Sequence, residues 1–111
     1  IDLICDTLHV DDHFRNTNLV ITGEGRIDQS TIFNKAPVGI ARRAKTFGIP
    51  VIALAGSLGS GYRDVYSHGI DAVCCILDRP LSFRESVDQT YELLSTATER
   101  ALRLFNTDAA P

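Results

Sequence analysis

Four short runs of apolar residues set the strongest constraint on how this chain can fold. They lie at residues 3–5, 19–22, 51–55 and 72–77, and each run is continuous rather than alternating in hydrophobicity. Continuous runs rich in Val and Ile are typical of strands that are covered on both faces, as in a parallel sheet. We therefore predict four buried parallel strands, joined by right-handed crossovers.

The segments between these runs carry helical patterns. A middle helix is predicted to begin at Pro37 and to end at Gly48, and a shorter helix is predicted over residues 63–68 with its end at Gly69. The last helix begins at Ser82 with a capping box. Its predicted core-facing residues, spaced three and four apart, are Phe83, Val87, Tyr91, Leu94, Ala97, Ala101 and Leu104. The alternation of strands and helices predicts a three-layer α/β fold, flavodoxin- or Rossmann-like, with a mostly parallel sheet.

Composition narrows the class of protein further. The chain has 111 residues, 44% of them hydrophobic, which suits one globular domain and argues against disorder. A net charge of -3 without a basic stripe argues against a nucleic-acid partner. No apolar run approaches the roughly 18 residues of a membrane span, and three cysteines without a CxxC pair indicate a reducing compartment. We expect a cytoplasmic protein with no membrane partner.

Charged and hydroxyl side chains are concentrated after the strand predicted at residues 19–22. Residues 22–31 read TGEGRIDQST, and Lys35 follows closely. Two glycines that flank a carboxylate permit a tight turn at the carboxyl edge of the sheet. Bases that hold phosphate oxygens and acids that bind Mg²⁺ or accept a proton are what phosphoryl transfer requires. An equally weighted alternative is a solvated turn in which an Asp or Ser caps a helix.

Two other segments carry weaker signals. Residues 56–61, GSLGSG, follow the next strand and could bind an anion through backbone N–H groups, although such a loop is more often a flexible turn. No dinucleotide-binding glycine fingerprint is present, which weakens the alternative hypothesis that the chain is a Rossmann-like dinucleotide enzyme. His9 and His13 have a spacing that suits a metal, but no clear third ligand accompanies them.

The residues at 19–28 (LVITGEGRID) and 50–58 (PVIALAGSL), together with Thr31, Lys35, Pro37, Gly39 and Ala41, closely resemble the carboxy-terminal part of the bacterial type I glycerate kinases. The resemblance continues through residues 68–72 and the last helix. It implies a two-domain α/β kinase that uses ATP and Mg²⁺ to phosphorylate D-glycerate, generally to 2-phosphoglycerate. One domain of such a kinase is flavodoxin-like and is built from both ends of the chain around an inserted second domain.

When the family's signature is matched to this sequence position by position, the resemblance implies one set of catalytic residues and one set of cofactor-binding residues. Arg26 and Lys35 are expected to hold the glycerate carboxylate or the transferring phosphate. Asp28 is expected to act as a base toward the substrate hydroxyl or as a metal ligand, and Glu24 is expected to orient Arg26 or to bind Mg²⁺ through water. The residues expected to bind the cofactor are Gly23, Gly25, Thr31, Gly56 and Ser57.

Three departures from the family pattern leave the acceptor substrate open. Ser30 stands where the family usually has Gln, and Asn34 stands where it has a Gly; Asn can still accept a left-handed conformation, though less freely than Gly. Residues 59–61, GSG, replace an acidic pair. A non-catalytic flavodoxin-like module that binds a ligand or regulates another protein is the alternative function.

The resemblance also implies that much of the family's chain is absent from this sequence. The sequence starts at Ile1 without an initiator Met, and the family's opening segment and inserted domain are missing from residues 1–111. We therefore expect these residues to be the C-terminal portion of a flavodoxin-like domain, inactive alone. An unpaired sheet edge would favour self-association or association with the rest of a longer chain.

Overall fold

Three parallel strands form the centre of the fold within residues 13–107. The computed structural model describes residues 13–107; the strand predicted at residues 3–5 and His9 lie outside the described residues. The elements in chain order are β1 (Val20–Ile27), a first 3-10 helix (Gln29–Phe33), α1 (Lys35–Thr46), β2 (Val51–Leu58), a second 3-10 helix (Tyr62–His68), β3 (Ala72–Cys75), α2 (Phe83–Asp88) and α3 (Thr90–Phe105).

The sheet has the order β1-β2-β3, and both pairings are parallel. Val20 lies opposite Val51, and Ile52 lies opposite Ala72. The crossover from β1 to β2 contains α1, and the crossover from β2 to β3 contains the second 3-10 helix. This arrangement confirms the predicted α/β class with a parallel sheet.

Each face of the sheet packs against helices. On one face, α1 packs on β2 through a cluster that contains Ala41, Ala44, Val51 and Ala53. The small alanine side chains let the helix approach the sheet closely. On the other face, Leu93 and Ala97 of α3 pack in a second cluster, whose remaining buried members are Leu54 and Ile76. The sheet is therefore the middle of three layers, and burial of these apolar side chains is the main stabilising contribution.

The limits of α1 show which local signals are reliable. The helix begins at Lys35, two positions before the predicted start, because the Asn34 side chain accepts a hydrogen bond from the Ala36 N–H at 3.3 Å and acts as the N-cap. Asn34 has φ -82°, an extended conformation, and it does not use the left-handed conformation that Asn can accept. The predicted end is confirmed, since Gly48 follows the helix with φ +70°.

The predicted last helix is divided in two by a break at Gln89. Its capping box is confirmed: the Glu85 N–H donates to Ser82 Oγ at 3.1 Å, and the Ser82 N–H donates to Glu85 Oε1 at 2.9 Å. The predicted core face is partly wrong, since Phe83 and Tyr91 are each 84% exposed. The prediction is confirmed for Ala97 and Ala101, which are buried in α3 together with Leu93, a residue outside the predicted face.

Two apolar stripes with helical spacing therefore run along this part of the sequence. Both stripes contain Ala97 and Ala101; the stripe that also contains Leu93 packs on the sheet, whereas the predicted stripe that also contains Leu94 is partly exposed. None of the helices within residues 13–107 combines the length and apolar character that crossing a bilayer requires.

Candidate functional site

Two strands of the sheet extend further than the third. The pairing of β2 with β3 ends at Ala55 and Cys75, whereas the pairing of β1 with β2 continues to Ile27 and Leu58. The tight turn predicted around Gly23 and Gly25 is therefore wrong, because these residues lie in β1. Strand β2 offers a partner along this length, so the backbone groups of β1 are satisfied in extended form.

A groove of about 440 Å³ lies where the two long strands extend beyond β3. Its strand-derived lining includes Gly23, Glu24, Gly25, Gly56 and Ser57, all of them named as site residues from the sequence. Apolar side chains complete the lining, namely Leu54, Ile76, Leu77, Phe83, Val87 and Leu94. The groove opens at the carboxyl edge of the sheet, where open parallel α/β folds bind their ligands.

Close approach of the two backbones explains one of the glycines in this groove. A Cβ atom at Gly56 would lie 2.8 Å from the carbonyl oxygen of Gly25, which is too close for any side chain. A Cβ atom at Gly25 would meet nothing within 4 Å. Gly56 is therefore required by packing, whereas Gly25 leaves open space on the groove.

Arg26 and Asp28 form an ion pair at the end of β1, with Arg26 Nε 3.2 Å from Asp28 Oδ2. Asp28 also caps the first 3-10 helix, because its Oδ1 accepts hydrogen bonds from the Ser30 N–H at 2.8 Å and from the Ser30 hydroxyl at 2.6 Å. The helix-cap interpretation of this segment is thus confirmed for Asp28. The hydrogen bonds from Ser30, followed by that from Arg26, lower the pKa of the Asp28 carboxyl and keep it ionised at neutral pH.

The cap also determines where the other polar residues of this segment lie. Thr31 is 6% exposed, and its Oγ1 accepts a hydrogen bond from the Asp28 N–H at 3.0 Å. Lys35 is the first residue of α1, directly after the cap residue Asn34. The structure thus places Thr31 inside the protein, beneath Asp28.

The glycine-rich loop after β2 packs on the end of β1. The Gly59 N–H donates to the Ile27 carbonyl at 2.8 Å, and the Gln29 N–H donates to the Ser60 carbonyl at 2.9 Å. Gly61 has φ +76°, a conformation that favours glycine. The loop is therefore held by backbone hydrogen bonds to β1 and the first 3-10 helix.

Other sequence signals find less support at this site. His13 is exposed, and no group of three metal-ligating side chains occurs within the described part of the chain, residues 13–107. Sequence reasoning missed the contribution of α2 and α3 to the groove, which comes from Phe83, Ser86, Val87, Thr90 and Leu94. The signal for it was the second apolar stripe, which the sheet leaves partly uncovered.

Fold and site together define a parallel α/β protein with a glycine-lined groove at the carboxyl edge of its sheet and an Arg–Asp pair at the end of β1. The sequence profile of the glycerate kinase family matches residues 1–106. A glycerate kinase from Halalkalibacterium halodurans is 44% identical over 97 residues, which cover 87% of this chain and 26% of that relative. Glycerate 2-kinase from Escherichia coli is 39% identical over 98 residues, with 88% and 26% covered.

A solved structure points to the same family. The protein comes from Salmonella typhimurium LT2 and is assigned as glycerate kinase 2; it is similar to this chain with a TM-score of 0.61 and 36% identity, and the match covers 93% of this chain and 26% of that one. The chain belongs to the glycerate kinase family. It spans about a quarter of the length of the curated relatives it matches.

Proposed function

We propose that this chain forms one side of the active site of a cytoplasmic kinase that transfers a phosphoryl group from ATP to D-glycerate, giving 2-phosphoglycerate. The observation that carries the proposal is the groove lined by Gly23, Glu24, Gly25, Gly56 and Ser57. The Arg26–Asp28 pair follows the groove residues of β1 directly in the sequence. Relatives named glycerate kinase and glycerate 2-kinase support the choice of substrate.

The remaining parts of the kinase belong to other segments of a longer polypeptide in this proposal. Residues 1–111 would be the C-terminal portion of its flavodoxin-like domain, and an N-terminal segment and an inserted domain would complete the site. Large exposed apolar side chains support this arrangement, because such patches mark surfaces that another part of a protein covers. Phe83 and Tyr91 are 84% exposed, and Val87 is 53% exposed.

Arg26 is the group best suited to hold an anion. Its side chain is 60% exposed, so the guanidinium can contact a ligand while one of its edges stays bound to Asp28. A planar guanidinium has five N–H donors and matches the geometry of carboxylate or phosphate oxygens. Lys35 would supply a second cation for the substrate carboxylate or the transferring phosphate.

Asp28 is better suited to bind a cation than to accept a proton. A general base works best when its pKa lies near the working pH, whereas hydrogen bonds lower the pKa of Asp28. Carboxylate oxygens accept several contacts each, so Asp28 can orient Arg26 and also serve as a ligand. Thr31, buried beneath it, would support Asp28 through the cap.

Glu24 and Asp28 provide oxygen donors of the kind that Mg²⁺ prefers. Mg²⁺ is usually held by one or two carboxylates, with water and substrate phosphates completing its shell. Glu24 within β1 and Asp28 directly after the strand are two carboxylates close together in sequence, which fits that pattern. When bound, Mg²⁺ would neutralise charge on the phosphates of ATP, and Ser57 with the glycine backbone would bind the nucleotide.

A chimeric enzyme tests the proposal. This chain replaces the matching quarter of the Halalkalibacterium halodurans glycerate kinase, and ADP formation is measured with and without D-glycerate. We expect glycerate-dependent ADP formation, and product analysis should give 2-phosphoglycerate. A folded chimera that neither binds ATP nor forms ADP would favour the non-catalytic module and contradict the proposal.

A further inference from the structure

The guanidinium of Arg26 occupies space that any side chain at Gly59 would fill. A Cβ atom at Gly59 would collide with Arg26 Nη2, and it would lie 2.9 Å from Arg26 Cζ and 2.9 Å from Asp28 Cβ. Carbon atoms in contact are normally about 3.5–4.0 Å apart. The Arg26–Asp28 pair therefore fits only because residue 59 has no side chain.

The backbone at Gly59 is held in place by three hydrogen bonds of the loop. Its N–H donates to the Ile27 carbonyl at 2.8 Å, its carbonyl accepts from the Tyr62 N–H at 3.2 Å, and the adjacent Ser60 carbonyl accepts from the Gln29 N–H at 2.9 Å. The loop cannot retreat from Arg26 without breaking these bonds.

Backbone conformation does not account for a glycine at this position. The glycines with positive φ among residues 13–107 are Gly48, Gly61 and Gly69. Another residue could adopt the backbone of Gly59, so the requirement for glycine there comes from the space that Arg26 uses.

We propose that Gly59 is a positioning residue. Because it has no side chain, the guanidinium of Arg26 can lie against Asp28 in the orientation that binds the anionic substrate. This inference rests on the proposed function and adds a determinant from a second loop to it. A methyl group at residue 59 would displace the guanidinium, because the Arg26 side chain is 60% exposed and can swing into solvent, and it would also press on Cβ of Asp28.

The first test combines two substitutions in the chimeric enzyme. Gly59→Ala should lower kcat/KM for glycerate by about tenfold to a hundredfold, which is typical when a substrate-positioning group moves by about 1 Å. In an Arg26→Ala background, Gly59→Ala should cause a clearly smaller loss, because the guanidinium is already absent and only the contact with Asp28 Cβ remains. Equal losses in both backgrounds would overturn the inference.

A matched glycine at the other end of the sheet provides the control. Gly69 has φ +97°, and a Cβ atom there would lie 3.2 Å from the Ala41 backbone. Gly69→Ala should lower the melting temperature while the activity per folded molecule stays unchanged. If Gly59→Ala lowered the melting temperature as much and lost activity only through unfolding, its role would be structural and the inference wrong.

An NMR measurement separates this inference from the proposed function. The Nε–Hε signal of Arg26, assigned by its loss in Arg26→Ala, reports the hydrogen bond to Asp28 in the chimera whether or not it is active. In Gly59→Ala the signal should move to its position in Asp28→Asn. An unmoved signal overturns the role of Gly59, whereas absence of ADP formation in the parent chimera overturns the proposed function instead.

Discussion

The two ends of the three-stranded sheet differ in how tightly they are closed. At the amino end, a network of backbone and side-chain contacts joins α1, β2 and the segment before β3. At the carboxyl end, β1 and β2 extend beyond β3 and leave a groove lined by glycine backbone and apolar side chains. A hydrogen-bonded, closed end and an open end that carries the residues proposed for chemistry thus lie at opposite ends of the same strands.

Asp71 is the centre of the closed end. Its Oδ2 accepts a hydrogen bond from the Val51 N–H at 2.8 Å and is also bound by Lys45 Nζ. The Asp71 N–H donates to the Val51 carbonyl at 2.8 Å, and Lys45 Nζ donates to the Ile49 carbonyl at 3.3 Å. One carboxylate thus links the end of α1 to the first residue of β2.

The open end has a different balance of contacts. Its charged residues, Arg26 and Asp28, contact each other, and its apolar side chains from α2 remain exposed. A binding site needs groups that are held in position yet accessible, and such regions contribute less to stability than a packed core. The next four predictions test this division.

The largest expected effect is a difference in stability between alanine substitutions at two neighbouring leucines of α3. Leu93 is 2% exposed in the second cluster, whereas Leu94 is 43% exposed and lines the groove. Leu93→Ala should lower the free energy of unfolding by about 2–5 kcal/mol, and Leu94→Ala by less than about 1 kcal/mol. Urea unfolding of the chain, followed by circular dichroism, measures both. Equal losses would mean that α3 buries the stripe first predicted from the sequence.

Asp28→Asn tests the chemistry of the open end. In the chimeric enzyme we expect kcat to fall by at least about a hundredfold, because the ionised carboxylate that binds Arg26 is lost. Asn is a good helix N-cap, so the melting temperature should change little. Asp64→Asn, at an exposed carboxylate of the second 3-10 helix, is the matched control and should retain activity. Unchanged turnover in Asp28→Asn would remove this residue from the mechanism.

Alanine substitutions at two glycines on neighbouring strands test where the groove is closely packed and where it leaves open space. Gly56→Ala should lower the free energy of unfolding by about 1–3 kcal/mol, since its Cβ would press on the Gly25 carbonyl. Gly25→Ala should leave stability nearly unchanged but reduce nucleotide binding by the chimera. Urea midpoints and ATP titrations report the two quantities. A stable Gly56→Ala variant would show that the strands can separate at this step.

The smallest expected effect concerns pH at the closed end. Burial raises the pKa of Asp71, but the hydrogen bonds from Lys45 and the Val51 N–H outweigh burial and leave it below the ordinary value of 3.8. A carboxyl whose pKa is lowered in the folded state stabilises the protein at pH values above its unfolded-state pKa. This contribution is lost as the pH falls through the folded-state pKa.

Asp71→Asn should therefore be less stable than the parent chain at pH 7, by about 1 kcal/mol or less for an ion pair this exposed. The difference should shrink as the pH falls below the ordinary pKa of 3.8 and through the lowered folded-state pKa of Asp71. Unfolding curves at pH 7, 4 and 2 measure it. A difference that grew on acidification would contradict the lowered pKa of Asp71.

Local patterns in the sequence were sufficient for several elements. The Val- and Ile-rich runs identified β1, β2 and β3, and Gly48 and Gly69 marked the ends of two helical segments. Ser82 and Glu85 identified the start of α2 through contacts only three residues apart. These predictions succeeded because each depends on neighbours in the chain, whose geometry is nearly the same in any fold.

Other features depended on partners distant in the sequence. In the sequence alone, Gly23 and Gly25 indicate a turn. They lie in strand β1 because β2 offers hydrogen-bonding groups as far as Leu58. The choice between the two apolar stripes of the last helices was likewise made by the sheet that one of them covers.

The amino-acid sequence by itself determined the order of strands and helices, the helix caps and the family to which the chain belongs, because these reside in local spacing and in the identity of the motif residues. Only the tertiary structure decided that Gly59 lies against Arg26 and that Gly56 lies against Gly25. The reason is steric: pairing of β1 with β2 brings these residues into contact, and whether a side chain fits depends on atoms that no local pattern specifies.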